Sequence, residues 1–461
     1  MRPLALSQIA TWCDARLVGE DRVIRAIGVD TRTLMPGALY LALRGETHDG
    51  HDFCARARAA GAHALLVERD VDEALPRIVC ADTRIALGQI AAHLAQARAT
   101  RLVAITGSNG KTTTRTLTRA ILAQSDPEVW SNAGNRNNEI GLPLAVIDQP
   151  ENARLAVYEM GAGAPGDIAY LAAIARPDIA LVTNVAPAHL ERMGSLLGIA
   201  DTKAAIYDAL PADGIAVINA DDAFAPYFRE RAGARRVLDF ALDASAQVTA
   251  SAVQPHQDGS RFVLQSPWGA AEVTVPLPGR HQVGNALAAA AVALSAGASL
   301  DDVVVGLAAA PGVPGRLQTV TLGDGTLVLD DSYNANPGSV AAAIQTLVAQ
   351  AHRSGAQAWV ALGDMRELGP GAAVLHAEVG QRARDAGVAR LLTVGEMSRH
   401  AAHAFGPGGE HFVDQTALIE RLKARSDGPV LLLVKGSRGS RMDRVVDALA
   451  GTGTEGEEHA A

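Results

Sequence analysis

The stretch Ile105-Thr106-Gly107-Ser108-Asn109-Gly110-Lys111-Thr112-Thr113-Thr114 decides how this chain is organised. An apolar run, residues 102–105, leads into it, and residues 112–123 follow it with helix-forming residues. A strand, a glycine-bearing turn and a helix, in that order, are the context that a phosphate-binding loop needs. The sequence therefore predicts that a nucleotide phosphate is bound by Gly107, Ser108, Asn109, Gly110, Lys111, Thr112 and Thr113.

The residue types in this loop have separate tasks. Two glycines let the backbone approach an anion closely, and the helix N-terminus directs N–H groups and partial positive charge at it. Lys111 adds a full charge, and Thr112 is placed to offer its hydroxyl to a magnesium ion. The common loop starts with a further glycine, where this chain has Ile105. The alternative is a chance glycine turn after a strand. Such a turn would not explain the string Gly-Lys-Thr-Thr, so we expect ATP to bind here.

Composition restricts the class of protein. The 461 residues exceed one ordinary core and predict two to four domains, and 48% apolar with 20% charged residues is typical of a globular protein. The net charge of −9 and the lack of a basic stripe argue against a nucleic-acid partner. Three widely spaced cysteines indicate reduced thiols. Because no apolar run has membrane-spanning length, we expect no membrane insertion and a cytoplasmic protein.

The first block of the chain, residues 1–98, reads as short strands and helices. Residues 29–32 and 37–43 are predicted strands around a Pro36-Gly37 turn. Asp30, Thr31 and Arg32 come at the end of one of them. Their spacing fits a ligand-binding strand end or a plain surface turn, and it does not decide between the two.

The second block, residues 99–312, alternates strands and helices as parallel α/β sheets do. Glu159 ends an apolar strand, and His189 follows another. Ligands of such sheets bind at the carboxyl ends of the strands, so these two side chains and Lys111 are candidates for one crevice. A solvated or hydrogen-bonded scaffold role is the alternative for a single His or Glu. Residues 251–276 interrupt the rhythm with short strands and turns, which predicts an antiparallel insert.

The third block, residues 313–450, again alternates strands and helices, and we expect a C-terminal Rossmann-like domain without a dinucleotide fingerprint. The predicted fold class is therefore α/β with three domains, a central parallel sheet of the P-loop type and an antiparallel insert. Residues 451–461 are acidic and glycine-bearing, and we expect a disordered tail.

Several strings resemble those of the Mur ligases, and the resemblance covers nearly the whole chain. Thr106 to Thr113 resembles their ATP loop, which also lacks the outer glycine. Their remaining motifs are matched by Asn135-Arg136-Asn137-Asn138-Glu139-Ile140-Gly141, Glu159-Met160-Gly161, Asn184 to Leu190, Lys203, His281 to Asn285 and Gly315-Arg316.

Three further strings are similar to the family member that adds D-alanyl-D-alanine to UDP-N-acetylmuramoyl-tripeptide. They are Asp330-Asp331-Ser332-Tyr333-Asn334-Ala335-Asn336-Pro337, Ala361 to Gly369, and Val434-Lys435-Gly436-Ser437-Arg438. Asp30-Thr31-Arg32 and residues 49–53 resemble the uridine-nucleotide domain of the later Mur ligases. The Asp-Asn-Pro-Arg string of the diaminopimelate-adding ligase is not found.

The resemblance implies a peptidoglycan-precursor ligase that uses ATP and Mg2+, is monomeric, and forms an acyl phosphate which the dipeptide amine attacks. It implies catalytic roles for Lys111, His189, Lys203 and Arg316. It implies one magnesium ion on Thr112 and Glu159, and a second on His189 and a carbamylated Lys203. Nucleotide contacts would include Asn285, Arg316 and Asp331. Substrate contacts would come from Asp30, Thr31, Arg32, Asn137, Asn138, Tyr333, Asn334 and Asn336.

Two positions depart from the family pattern. Gln282 replaces an asparagine that usually precedes the adenine-contacting Asn285, and Ala205 replaces a glutamate two residues after Lys203. The near alternatives are the diaminopimelate or lysine adder and a folylpolyglutamate synthase, although the first domain argues against the folate enzyme. A nucleotide switch is the alternative from another class, but it needs neither a uridine-nucleotide domain nor His189 and Lys203 near the loop.

Overall fold

The strand that leads into the glycine loop lies inside a nine-stranded sheet. The computed structural model describes residues 1–45, 47–256, 258–425 and 428–451, and its strands form sheets of nine, six, five and two strands. The predicted tail, apart from Gly451, lies outside the described residues.

The first 96 residues contain the five-stranded and the two-stranded sheets. Their elements are β1 (Leu4–Ala5), α1 (Leu6–Trp12), β2 (Arg16–Val18), β3 (Val23–Ile24), β4 (Ile27–Gly28), β5 (Leu39–Leu41), α2 (Cys54–Ala59), β6 (Ala64–Val67), β7 (Arg77–Val79) and α3 (Thr83–Gln96). The larger sheet has the order β2-β7-β6-β5-β4, with β2 antiparallel to β7 and the others parallel.

The strand predicted at residues 29–32 is wrong, because β4 already ends at Gly28. The Asp30 carboxylate accepts the backbone N–H of Arg32 at 2.9 Å and the Arg32 guanidinium at 2.7 Å. A short polar side chain that bonds the backbone two residues on favours a turn over a strand.

The nine-stranded sheet belongs to residues 101–275. Its strands and covering helices are β8 (Arg101–Thr106), α4 (Lys111–Leu122), β9 (Trp130–Ser131), α5 (Gly141–Asp148), β10 (Leu155–Glu159), α6 (Asp167–Ala175), β11 (Ile179–Val182), α7 (Leu190–Met193), α8 (Leu196–Asp208), β12 (Ile215–Asn219), α9 (Ala225–Ala232), β13 (Arg236–Ala241), β14 (Val248–Pro255), β15 (Ser260–Ser266), β16 (Gly269–Val275), α10 (Arg280–Ala296) and α11 (Leu300–Ala308).

The strand order β16-β15-β14-β13-β12-β11-β8-β10-β9 explains where a ligand binds. The chain passes from β8 to β9 and β10 on one side and then returns to β11 on the other side of β8. Helices that leave neighbouring strands on opposite sides open a crevice at the strands' carboxyl ends. The glycine loop follows β8 at this point. The antiparallel insert is confirmed as β14, β15 and β16, which extend the same sheet at its edge.

Alternation along β8 divides the core between the two faces of this sheet. Leu102 and Ala104 pack in a cluster that also contains first-block residues such as Leu87 and Ile90. Val103 and Ile105 point to the other face, against the alanine-rich helix α10. A parallel strand covered on both faces is expected to be apolar, as β8 is from Leu102 to Ile105.

Residues 318–450 form the third unit. Its elements are β17 (Gln318–Thr321), β18 (Leu327–Asp331), α12 (Pro337–Ser354), β19 (Gln357–Gly363), α13 (Ala372–Asp385), β20 (Arg390–Val394), α14 (Arg399–Phe405), β21 (Gly409–Phe412), α15 (Gln415–Lys423), β22 (Val430–Lys435) and α16 (Asp443–Ala450). The sheet order is β17-β18-β22-β19-β20-β21, parallel except for β17. The α/β fold class with a parallel-rich third sheet is confirmed. No helix among the described residues is long and apolar enough to span a membrane.

A substitution at the centre of the third sheet should change the free energy of unfolding strongly. Trp359 on β19 is fully buried, and replacing such a side chain by alanine costs about 3–5 kcal/mol through lost burial and the cavity left behind. We expect Trp359→Ala to speed amide hydrogen exchange throughout β18, β19 and β22 by the factor that corresponds to this loss of unfolding free energy. Val413→Ala is the control, because Val413 is 95% exposed and should change stability by less than about 0.5 kcal/mol. Equal exchange in the two variants would contradict this account of the core.

Candidate active site

Both loop glycines are required by close packing. A Cβ at Gly107 would lie 1.8 Å from Thr183 Oγ1, and a Cβ at Gly110 would lie 2.4 Å from Asn285 Oδ1. Gly110 also has φ 78°, a left-handed backbone conformation that residues other than glycine adopt only at a cost in free energy. The loop is therefore held between the end of β11 and the start of α10.

Ile105, where the common loop has its outer glycine, is part of β8. It is fully buried and pairs with Glu159 of β10 and Leu181 of β11 in register. The chain leaves the strand only after Thr106, and Gly107 makes the turn. A glycine at position 105 is not needed, because the backbone there is still an ordinary strand.

The segment after β11 satisfies the backbone of the loop. Ser108 N donates to Asn184 O at 2.9 Å, and Asn109 N donates to Asn184 Oδ1 at 3.0 Å. Thr183 Oγ1 donates to Asn109 O at 2.6 Å. Sequence reasoning identified this segment only through His189 and missed Thr183 and Asn184, whose position beside the loop depends on the strand order.

Lys111 bonds to its own loop. Its ammonium donates to Gly107 O at 2.8 Å and to Ser108 O at 3.4 Å. Burial lowers the pKa of Lys111, against the opposing effect of the Glu159 carboxylate. A phosphate in the loop would supply the counter-charge that carbonyl oxygens provide only in part.

Glu159 lies at the end of β10 with one incompletely bonded oxygen. Its Oε1 accepts from Asn137 Nδ2 at 2.8 Å. Its Oε2 lies 3.4 Å from Arg115 Nη1 and is buried with no hydrogen bond. Buried acceptors are normally satisfied, so this oxygen has capacity for a cation. The described residues contain no group of three or more His, Cys, Asp or Glu arranged for a metal, so a metal here would also need hydroxyl or phosphate oxygens.

His189, Lys203 and Lys111 lie close enough for their charges to interact. His189 adopts φ 55°, and its Nδ1 is paired with the carboxylate of Glu367 from the third sheet. Lys203 on α8 is 2% exposed, and its amine has no hydrogen bond or ion pair to any described residue. Burial, with a smaller effect from Lys111, lowers the pKa of Lys203 to about 7. A large fraction of this amine is therefore neutral near pH 7.

A cleft of about 390 Å³ lies between the second and third sheets. Besides the loop, its lining includes Asn184, Asn219, Phe240, Leu242, His281, Gln282, Asn285, Arg316, Asp331, Asn334, Asn336 and Lys435. Gln282, the departure from the family pattern, accepts from Asn285 Nδ2 at 2.8 Å and so orients the Asn285 amide.

A buried ion pair lies at the third-sheet side of the cleft. Lys435 Nζ contacts Asp331 Oδ2 at 2.5 Å and Asn334 O at 2.9 Å, and Lys435 is 2% exposed. Burial raises the pKa of Asp331, while the charge of Lys435 acts in the other direction. Lys435 belongs to a string noted in the sequence but was not among the predicted site residues. Only the parallel pairing of β18 with β22 brings it to Asp331.

Two contacts connect the glycine loop to the third unit. Arg316 Nη2 donates to Thr112 Oγ1 at 3.0 Å, and its Cζ lies 4.5 Å from the centre of the Tyr333 ring. The amides of Asn109 and Asn336 donate to each other at 3.4 and 2.7 Å. Tyr333, Asn334 and Asn336 are therefore close to the loop, as expected for residues at the strand end.

The remaining predicted residues lie outside this cleft. Asp30, Thr31 and Arg32 form the turn after β4, where the Arg32 guanidinium lowers the pKa of Asp30. Asn138 Oδ1 accepts the backbone N–H of Gly141 at 2.8 Å at the start of α5, whereas Asn137 reaches Glu159.

Comparisons with known proteins agree with this arrangement. Three family models match: "Mur ligase family, catalytic domain" over residues 23–100, "Mur ligase middle domain" over 105–293 and "Mur ligase, glutamate ligase domain" over 315–438. A relative named UDP-N-acetylmuramoyl-tripeptide--D-alanyl-D-alanine ligase, from Escherichia coli (strain K12), is 44% identical over 98% of this chain and 100% of its own.

Solved structures are similar over the same length. MurF from Acinetobacter baumannii has a TM-score of 0.92 at 31% identity, covering 98% of this chain and 99% of that one. MurF ligase from Thermotoga maritima, in complex with ADP, has a TM-score of 0.81 at 26% identity, covering 93% and 97%. With matching domain models and a full-length relative of this identity, the chain belongs to the Mur ligase family.

Proposed function

We propose that this chain is an ATP-dependent amide ligase that adds D-alanyl-D-alanine to UDP-N-acetylmuramoyl-tripeptide, giving the pentapeptide precursor of peptidoglycan. The observation that carries the proposal is the similarity, over 98% of this chain, to the Escherichia coli ligase of that name. The site agrees with it, because the phosphate loop is contacted by Arg316 and Asn336 from the side of the third sheet.

ATP would occupy the cleft between the second and third sheets, as the ADP complex of the Thermotoga maritima relative suggests. The backbone of Gly107 to Thr113 and the Lys111 ammonium would hold the phosphates. Asn285, Arg316 and Asp331 would contact the rest of the nucleotide. Gln282 keeps Asn285 oriented, so the departure from the family pattern retains a defined asparagine.

The chemistry follows from the poor reactivity of a carboxylate as an acyl donor. Transfer of the γ-phosphoryl group to the tripeptide carboxylate gives an acyl phosphate, whose phosphate can leave when the dipeptide amine attacks. Transfer brings two anions together, so positive charge has to be concentrated at that point. Lys111 and Arg316 lie at the loop to provide it. Arg316 and Asn336 reach the loop from the side of the third sheet, so closer approach of the third unit would exclude water from the acyl phosphate.

Two sets of side chains fit magnesium. Thr112 and the unsatisfied Oε2 of Glu159 would hold one ion, and His189 with a carbamylated Lys203 the other. A neutral amine adds carbon dioxide and releases a proton to the solvent, which gives a carbamate with anionic oxygen ligands. The lowered pKa of Lys203 supplies the neutral amine. Bound magnesium would neutralise charge on the transferred group.

The other substrates would bind on either side of this centre. Asn137 lies against Glu159 and would face the muramoyl-peptide together with Asn138. Asp30, Thr31 and Arg32 would contact the uridine nucleotide from the first unit. Tyr333, Asn334 and Asn336 would shape the dipeptide end.

The organisation of the whole protein is also part of the proposal. We expect domain limits at residues 1–98, 99–312 and 313–450, since each range contains its own sheet or sheets. We expect a monomer in the cytoplasm, where the three free, buried cysteines would stay reduced.

The reaction is tested by leaving out one component at a time. We expect phosphate release from ATP to require magnesium, UDP-N-acetylmuramoyl-tripeptide and D-alanyl-D-alanine together, with the pentapeptide product seen by mass spectrometry. If the dipeptide can be replaced by a single amino acid, another ligase of the family is the correct assignment. Phosphate release that needs neither UDP-N-acetylmuramoyl-tripeptide nor D-alanyl-D-alanine would favour a nucleotide switch.

If Lys203 acts in the reaction, replacing it should lower turnover and leave nucleotide binding unchanged. Lys203→Ala should lower turnover by at least about a hundredfold, as the loss of one charge-stabilising group does, while ADP affinity stays within about twofold. Lys423→Ala is the matched control, because Lys423 lies near the end of α15 and away from the loop. Trapping of ¹³C-labelled carbon dioxide on the wild type but not on Lys203→Ala would be seen by ¹³C NMR. Normal turnover of Lys203→Ala would remove the lysine from the mechanism.

A further inference from the structure

The segment after β19 contains a cation with no assigned role. The string Ala361 to Gly369 was noted in the sequence, yet none of its residues is among the proposed site residues. Arg366 within it is exposed, and its guanidinium has no hydrogen bond or ion pair to any described residue.

The position of Arg366 is nevertheless well defined. Its backbone N donates to Ser437 Oγ at 2.8 Å, and Met365 N donates to His376 Nε2 at 2.9 Å. The guanidinium lies against the backbone of Gly439, because a Cβ there would be 2.5 Å from Arg366 Nη1 and 2.8 Å from Cζ. The guanidinium therefore lies beside the backbone of Gly439 and has no counter-charge among the described residues.

Contacts on both sides place Arg366 at the edge of the active site. On one side, Gly439 follows Arg438, whose Cζ lies 5.5 Å from the Tyr333 ring, and the same ring contacts Arg316. On the other side, the next residue, Glu367, pairs with His189 of the second unit. Arg366 is thus between the arginine that touches the phosphate loop and the histidine beside Lys203.

The three arginines differ in the partners of their guanidinium groups. Arg316 bonds to the Thr112 hydroxyl, and Arg438 lies 3.6 Å from the Asp443 carboxylate. The charge of Arg366 has no such partner among the described residues. An exposed guanidinium without a counter-charge, next to residues that contact the active site, favours an anionic ligand, and its planar fork suits a carboxylate in particular.

The proposed reaction supplies one carboxylate that has to be held on this side. The dipeptide must direct its amine toward the acyl phosphate at the loop, so its carboxylate points back toward the third unit. We propose that Arg366 binds the C-terminal carboxylate of the incoming D-alanyl-D-alanine and so selects a substrate with a free acid end. This inference depends on the ligase function proposed above.

The test compares D-alanyl-D-alanine with its C-terminal amide on the full-length enzyme. We expect Arg366→Ala to raise the KM for the dipeptide acid by a factor on the order of ten to one hundred, the loss typical of a hydrogen bond to a charged group. The KM values for ATP and UDP-N-acetylmuramoyl-tripeptide should change by less than about twofold. The wild type should discriminate against the amide by a similar factor, and Arg366→Ala should lose this discrimination. Arg366→Lys should restore part of it.

Arg444→Ala is the control, because Arg444 is an exposed arginine of α16 outside these contacts. It should keep the wild-type preference for the acid. Protection of each variant against thermal unfolding by ADP shows that the fold and the nucleotide site are intact. If Arg366→Ala turns over too slowly to measure, calorimetric titration of the acid and the amide into the ADP-bound variant gives the same comparison.

Three outcomes overturn the proposal. The first is that Arg366→Ala keeps the wild-type preference for D-alanyl-D-alanine over its C-terminal amide, at any rate of turnover. A rise in KM for UDP-N-acetylmuramoyl-tripeptide in place of the dipeptide shows that Arg366 serves a different carboxylate. A raised KM for acid and amide alike shows that it supports the site without contacting the carboxylate. If the wild type does not use D-alanyl-D-alanine at all, the ligase assignment itself fails, which is a distinct result.

Discussion

The active site depends on the tight contact between the glycine loop and the two elements beside it. Thr183 and Asn285 occupy the space that side chains at positions 107 and 110 would need. Because the backbone groups of Ser108 and Asn109 are satisfied by Asn184, the loop keeps its shape without a ligand. The N–H groups at the start of α4, which have no partner within the helix, then do not have to reorganise when a phosphate binds, and electrostatic stabilisation gains from this.

The third unit contributes to the active site because it also contacts the glycine loop. Arg316 and Asn336 reach residues at the loop, so the position of the third sheet is linked to the side chains that would hold the phosphates. The chain has a net charge of −9, yet Lys111, Arg115 and Arg316 are gathered in this region. Local concentration of positive charge in an acidic protein serves an anionic ligand without making the whole surface attractive to polyanions.

The two departures from the family pattern have different consequences. Gln282 takes part in the site by bonding to Asn285, so the longer side chain is accommodated by a direct contact. Ala205 supplies no carboxylate, and the Lys203 amine is buried with no partner among the described residues. An unpaired buried amine loses its proton more easily, which favours reaction with carbon dioxide over an ammonium ion beside a metal.

The sequence by itself determined the α/β class, the loop from Gly107 to Thr113, the antiparallel insert and the membership of the family, because these depend on local periodicity and on unbroken strings. The sequence also placed Glu159 and His189 at the carboxyl ends of strands, since Glu159 ends one apolar strand and His189 follows another. Only the tertiary structure decided that Thr183 and Asn184 support the loop, that Lys435 pairs with Asp331 and that Glu367 meets His189. These contacts join residues tens to hundreds of positions apart. The first two follow from the order of strands within a sheet, which one strand's pattern does not encode. The third follows from the packing of the third unit against the second.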